Sequence, residues 1–189
     1  MSDPAHSAHS AAPSPWIVRF APLIPAGGEV LDLACGAGRH ARLLAGLGYR
    51  VEAVDRDSAA LANLAGVANA ENIATRCADL ENGPWPYYAH VFDGIVISRY
   101  LWRPLFPQIF NCLAEGGVLI YETFMEGQQL YGKPSNPAFL LRPGELLELV
   151  GKRFTVVAFE QGEIAGTDGA PQVIQRICVR RGRPDKLPV

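Results

Sequence analysis

Three aspartates and a pair of glycines carry most of the chemistry available to this chain. Gly36 and Gly38 lie in "VLDLACGAGRHARLL", where an apolar run breaks and turns at once into helical spacing. Glycines let backbone pass close to a ligand and adopt dihedrals closed to other residues. The helix that follows offers unpaired N–H groups at its start, which favour a carboxylate or phosphate. Gly36-Ala-Gly38-Arg-His-Ala41 fits the dinucleotide fingerprint G-x-G-x-x-G/A. It also fits a tight strand-to-helix turn with no ligand.

The aspartates narrow that choice. Asp55 ends the next apolar run, nineteen residues beyond Gly36, where a carboxylate can accept hydrogen bonds from both hydroxyls of a ribose. Its other reading is a helix cap, although Asp57 is better placed for that. Asp79, in "RCADLE", ends a third run. It can take an adenine amino group between Ala78 and Leu80, or serve only as a loop aspartate. Asp32 separates the cofactors. NAD-binding strands run apolar straight into their glycines, whereas this one reads D-L-A-C-G-A-G. A carboxylate under the loop can hold its N–H groups and bias the site toward a cation. Pyrophosphate would be repelled there; a sulfonium bearing an amino group would not.

These residues must be brought together by strands that end on one side. "EVLDLAC", "YRVEAVD", "NIATRCAD", "HVFDGIVIS" and "GVLIYETF" read as five strands. Helices are expected over Arg39 to Leu47, Ser58 to Asn69 with Asp57 as N-cap, and Leu105 to Ala114. "PGELLELVG" reads as a short helix with proline in its first turn, and "PWIVRFAPLI" as one lying across the domain. "RFTVVAFEQ" and "QVIQRICVRR" close the chain as an antiparallel pair around "GTDGAP". Such alternation predicts an α/β, doubly wound, Rossmann-like sheet of seven strands, mostly parallel with an antiparallel C-terminal strand. Ligands of these sheets bind beyond the carboxyl ends of the strands, where strand order reverses.

Composition limits the partners. In 189 residues, 49% hydrophobic and with a net charge of −2, nothing calls for nucleic acid or an anionic membrane. No apolar run reaches membrane-spanning length, and "RRGRPDK" reads as a solvated basic tail. Residues 1–15 read as a disordered leader without signal-peptide features, and residues 16–189 as one domain. Four separated cysteines, Cys35, Cys77, Cys112 and Cys178, indicate no metal site or disulfide framework. Each is expected to be a small buried apolar residue in a reducing, cytoplasmic setting.

"VLDLACGAGRHARLL", "VEAVDRD", "CADL" and "FDGIVISRYLW…LAEGGVLIYET" together resemble a class I S-adenosylmethionine-dependent methyltransferase. The later "YETF…YGKPSNPAFLLRPGELLELV" is most similar to small bacterial proteins akin to the tellurite-resistance methyltransferases. By position, the resemblance places Asp32 near the methionine amino group of S-adenosyl-L-methionine and Ala34, Cys35, Gly36 and Gly38 along its amino-acid and ribose portions. It gives the ribose hydroxyls to Asp55, a flank of the adenine to Arg56, and the adenine surround to Ala78, Asp79 and Leu80. Ser98 and Arg99 would approach the methionine portion.

The implied activity is methyl transfer to a small-molecule acceptor by in-line displacement, with the N/D-P-P-Y/F signature of adenine and amide-nitrogen methyltransferases replaced by "ISRYL". A non-catalytic S-adenosylmethionine-binding protein and an NAD-dependent oxidoreductase are the alternatives. Tyr100 and Trp102 can present ring faces to the sulfonium or the substrate; Trp102 also reads as packing. Glu122 is a candidate base, or else a surface or salt-bridged carboxylate. His40 reads as a cap or a solvent-facing residue. The patternless stretch Phe124 to Arg142, with Tyr131, Phe139 and Arg142, suits a lid over the acceptor.

Overall fold

A computed structural model describes residues 12–67, 69–166 and 169–182. Most of the leader and basic tail, and part of the "GTDGAP" turn, lie outside the described residues. The strands are β1 (Glu29–Leu33), β2 (Arg50–Asp55), β3 (Ile73–Cys77), β4 (Phe92–Ser98), β5 (Leu113–Phe124), β6 (Phe154–Ala165) and β7 (Pro171–Arg181). Their order in one sheet is β3-β2-β1-β4-β5-β7-β6. The first five run parallel, and β7 lies antiparallel between β5 and β6. The chain works outward from β1 to β3, then returns to the other side of β1 to lay down β4. The crevice between β1 and β4 is therefore the switch point.

Side chains along the central strands alternate between two cores, the expected pattern for strands buried on both faces. Leu31, Leu33, Ile95, Ile97, Leu119 and Tyr121 join one core; Val30, Val96, Val118 and Ile120 join the other. Helix α1 (Pro15–Phe20) and α2 (Arg39–Gly46) contribute Trp16, Ile17, Ala41 and Leu44 to the second core. Helix α4 (Phe106–Asn111) and α5 (Glu145–Val150) supply Phe106, Phe110 and Leu146 to the first. Asp32 shares the parity of Val30 and so faces α2.

Helix α3 (Ser58–Ala62) ends well short of Asn69. Asp57 caps it by accepting the Ala59 and Ala60 N–H groups. Beyond it the N–H groups of Asn63, Leu64 and Ala65 each bond three residues back, and Gly66 turns with φ +76°. This tightened turn ends the helix despite its alanine-rich continuation. α4 likewise stops at Asn111, because Leu113 already pairs with Phe92 in the sheet. α5 begins after Gly144, whose left-handed backbone excludes Pro143 from the first turn. Three cysteines are buried as expected, but Cys77, on the exposed edge strand β3, is not. No helix among the described residues is long and apolar enough to cross a membrane.

Candidate active site

The carboxyl ends of β1, β2, β4 and β5 meet in a cleft of three hollows that share walls. The first, about 280 Å3, is bounded by Asp55, Arg56, Ala78, Asp79, Leu80 and Tyr100, with Glu81 at its edge. The second, about 330 Å3, is bounded by Asp32, Cys35, Gly36, Arg39, His40 and Ser98. The third, about 320 Å3, lies between Glu122, Arg176 and Gln172 on one side and Pro15, Ile164 and Ala165 on the other. Ala34 lines the first two, Arg39 the last two, and Arg99 all three.

The backbone is strained at the two residues that leave the switch-point strands. Ala34 follows β1 with φ +55° and Arg99 follows β4 with φ +56°. A left-handed conformation in a non-glycine residue costs on the order of 1–3 kcal/mol and needs the surroundings to hold it. The ladders supply that hold: Cys35 N–H donates to Val54 O at 3.0 Å and Arg99 N–H to Glu122 O at 2.9 Å. The glycines divide their work. A Cβ at Gly36 would meet nothing within 4 Å, so this residue keeps the second hollow open. Gly38 lines no hollow; its φ of +74° and its contact with Leu64 make it a packing and turn residue.

The aspartates also divide their work differently from expectation. The loop N–H groups are held by Asp55, whose Oδ2 accepts the Gly36 N–H at 2.8 Å and whose Oδ1 accepts that of Asp57 at 3.0 Å. Asp32 points under α2 instead. It is 1% exposed, and its Oδ2 has no hydrogen-bond partner among the described residues. Burial pushes its carboxyl up to about 7, against the opposing pull of the Ala41 N–H and the Arg39 charge. Asp79 closes a loop turn, accepting the Glu81 and Asn82 N–H groups at 2.9 and 3.1 Å, while still lining the first hollow.

His40 is buried rather than solvent-facing. Its Nε2 accepts the Ser14 N–H at 3.2 Å, and burial pushes its pKa down to about 3, with the Arg39 and Arg99 charges adding to the effect. Arg39 donates to Ser98 Oγ at 3.1 Å and to Ala12 O at 3.3 Å, tying the segment before α1 to the cleft. Burial raises the Cys35 thiol far above its ordinary range, so it is an inert wall group. Tyr100 has a buried, unpartnered hydroxyl and lines the first hollow. Glu122 lines the third, where its Oε2 meets Arg176 Nη1 at 3.4 Å. Trp102 packs half-buried against the first core and lines none of the hollows.

Tyr131, Phe139 and Arg142 are also absent from the cleft walls. Tyr131 donates to Glu163, Phe139 faces solvent, and Arg142 pairs with Glu148. In this conformation none of the three side chains expected to form a lid reaches the cleft. Arg39, Arg176, Glu81 and Gln172 escaped the sequence reading. Only Arg39, directly behind the glycines, carried a signal that could have found it.

Residues 30–117 match the methyltransferase domain family. Protein-L-isoaspartate O-methyltransferase from Chlorobaculum tepidum is 38% identical over 96 residues. That match takes in 49% of this chain and only 43% of the relative. Among solved structures, TehB from Haemophilus influenzae superposes with a TM-score of 0.71 at 23% identity, over 88% of this chain and 61% of that one. The glycopeptide N-methyltransferase MtfA, solved with S-adenosyl-L-methionine, superposes with a TM-score of 0.65 at 20% identity, over 95% and 100%. The domain match runs from β1 into β5, and the chain shares the fold of these methyltransferase structures while spanning less than half the length of the curated relative it matches.

Proposed function

We propose that this chain binds S-adenosyl-L-methionine along the first two hollows and transfers its methyl group to a small molecule held in the third. The observation that carries this reading is the pair of buried, unpartnered polar atoms in the first two walls, Asp32 Oδ2 and Tyr100 OH. Buried polar groups without partners are rare and call for a ligand or water. The residues present fit the cofactor. Asp55, still open to further donors, suits the ribose hydroxyls, and Ala78, Asp79 and Leu80 suit the adenine beside Arg56. Asp32 offers a carboxylate to an ammonium, and Arg39 and Arg99 offer guanidinium groups to a carboxylate. MtfA, which shares the fold, was solved with this cofactor.

The bound cofactor supplies an activated methyl carbon. The acceptor's lone pair forms the new bond to it as the carbon–sulfur bond breaks, and that bond's electrons stay on sulfur. The chain's task is to align the two and exclude water, which in well-oriented intramolecular systems supplies up to roughly 7–11 kcal/mol. A small acceptor suits a third hollow of about 320 Å3 walled by α1, β5 and the β6–β7 pair. Glu122 is the one carboxylate on that wall and the candidate to take a proton from a protonated acceptor.

Calorimetry with S-adenosylhomocysteine and NADH tests the cofactor; selective NADH binding would overturn the reading. Transfer of labelled methyl from S-adenosyl-L-methionine into a small-molecule extract tests the reaction. Tight cofactor binding with no labelled product across a broad acceptor panel would leave a binding protein and not an enzyme.

A further inference from the structure

The third hollow carries more positive charge than its neighbours neutralise. Arg39, Arg99 and Arg176 all line it, and Glu122 is the one acidic side chain on its wall. Arg176 is already satisfied: it contacts Glu122 at 3.4 Å and Glu160 at 2.5 Å, and lies over the Trp16 ring at 4.7 Å. Arg39 and Arg99 form no ion pair among the described residues. Arg39 donates only to Ser98 Oγ and Ala12 O, and Arg99 lies over the Phe124 ring at 5.8 Å. The two repel each other, since the Arg99 charge is among the causes that push the Arg39 pKa down, after burial.

Binding the proposed cofactor does not remove this excess. It brings one carboxylate, enough for one guanidinium, together with an ammonium for Asp32 and a sulfonium that adds positive charge beside the third hollow. One of the two arginines stays unpaired in a partly buried site, where a charge without a partner is costly. The far wall of the hollow, Pro15, Ile164 and Ala165, is apolar. Its volume of about 320 Å3 corresponds to roughly ten waters at about 30 Å3 each. That leaves room for an organic body as well as an anionic group.

We infer that the third hollow binds a small organic acid, its carboxylate held by Arg99 and its apolar body against Pro15, Ile164 and Ala165. The inference rests on the methyltransferase reading, because it makes this acid the methyl acceptor. Glu122 here is a charge partner for Arg176 that weakens anion binding.

The test is calorimetric titration of the chain, saturated with S-adenosylhomocysteine, with benzoate and its neutral isostere benzamide. Benzoate is expected to bind at least ~10-fold more tightly, a difference of about 1.4 kcal/mol. Arg99→Gln should erase that preference. Glu122→Gln should strengthen benzoate binding about 3-fold or more, a gain that misfolding cannot mimic. Equal binding of the two probes, or Arg99→Gln lowering affinity for S-adenosylhomocysteine while benzoate binding is unchanged, would overturn the inference. If S-adenosylhomocysteine does not bind, the cofactor reading fails by itself. The same titration on the free chain then decides the anion site, by whether benzoate binding depends on Arg99.

Discussion

Asp55 Oδ2 accepts the Gly36 N–H at 2.8 Å, so the carboxylate that ends β2 braces the loop that leaves β1. The same side chain accepts the Asp57 N–H through Oδ1 and lines the first hollow. Replacing it by alanine removes a charged acceptor from two backbone donors and from the proposed ribose site. A lost hydrogen bond to a charged group costs roughly 1.5–3 kcal/mol. Asp55→Ala should weaken S-adenosylhomocysteine binding by roughly 10–100-fold in calorimetry. Undiminished affinity would reduce Asp55 to a structural brace.

Gly38 and Leu64 make a steric test of the glycine loop. A Cβ at Gly38 falls 2.7 Å from Leu64 Cδ1 and Cγ, and φ of +74° strains any side chain there. Gly38→Ala should destabilise the chain by about 2–4 kcal/mol in urea denaturation. Leu64, 2% exposed, should cost about 2–5 kcal/mol when cut to alanine. The double variant should lose clearly less than the sum, because Leu64→Ala vacates the space the new methyl needs. Additive losses would mean that backbone strain alone fixes this glycine.

What the sequence disclosed follows from how each residue gets its neighbours. Asp32, Asp55 and Asp79 were legible because each ends or interrupts an apolar run, and a parallel sheet brings strand ends together. Arg176 was not legible. It enters the cleft only because β7 inserts beside β5, and a lone arginine in an alternating strand reads as a solvated face. Ser14 reaches His40 because α1 packs across the sheet, a contact between residues 26 apart that no local pattern announces. The end of α3 was misjudged because alanine and leucine spacing speaks for a helix until Gly66 turns the chain away.

Arg103 and Glu145 fix the segment between β5 and α5. Arg103 Nε and Nη2 donate to the two carboxylate oxygens of Glu145 at 2.6 and 2.9 Å, and the same guanidinium holds Ala138 O and Leu140 O. Glu145 is 3% exposed, so Arg103→Ala leaves its buried carboxylate only the Arg142 N–H at 2.8 Å and the Arg142 guanidinium at 3.7 Å and should cost on the order of 3 kcal/mol. Arg103→Met with Glu145→Gln removes the stranded charge, keeps an acceptor for the Arg142 N–H, and should recover part of that loss. Hydrogen exchange reads the same relationship locally. The Glu126 and Leu141 N–H groups, bonded to Leu141 O and Phe124 O, should be protected with or without S-adenosylhomocysteine and exchange faster in Arg103→Ala. Protection that appears only with ligand would restore a lid.

Asp32 and His40 give the second hollow two opposed pH dependences. The Asp32 carboxyl, ordinarily near 3.8, is pushed up to about 7 by burial. Between those values the folded chain keeps a proton that the unfolded chain has released, so this group lowers stability as pH rises from about 4 to 7. His40, ordinarily near 6.5, is pushed down to about 3 by burial and by the Arg39 and Arg99 charges. Below pH 6.5 the unfolded chain takes up a proton that the folded chain refuses, so this group raises stability as pH rises from about 3 to 6.5. The two slopes offset each other over most of their range, and each single variant should expose the other. Denaturation of Asp32→Asn between pH 4 and 6.5 should show stability rising with pH relative to the unmodified chain. His40→Gln should show it falling, by up to a few kcal/mol in each case. Binding adds a second readout. An ammonium beside Asp32 favours its ionised form, so S-adenosylhomocysteine should release a proton below pH 7 and bind more tightly as pH rises toward 7. Asp32→Asn should abolish both effects, and a variant that keeps them would detach Asp32 from the cofactor.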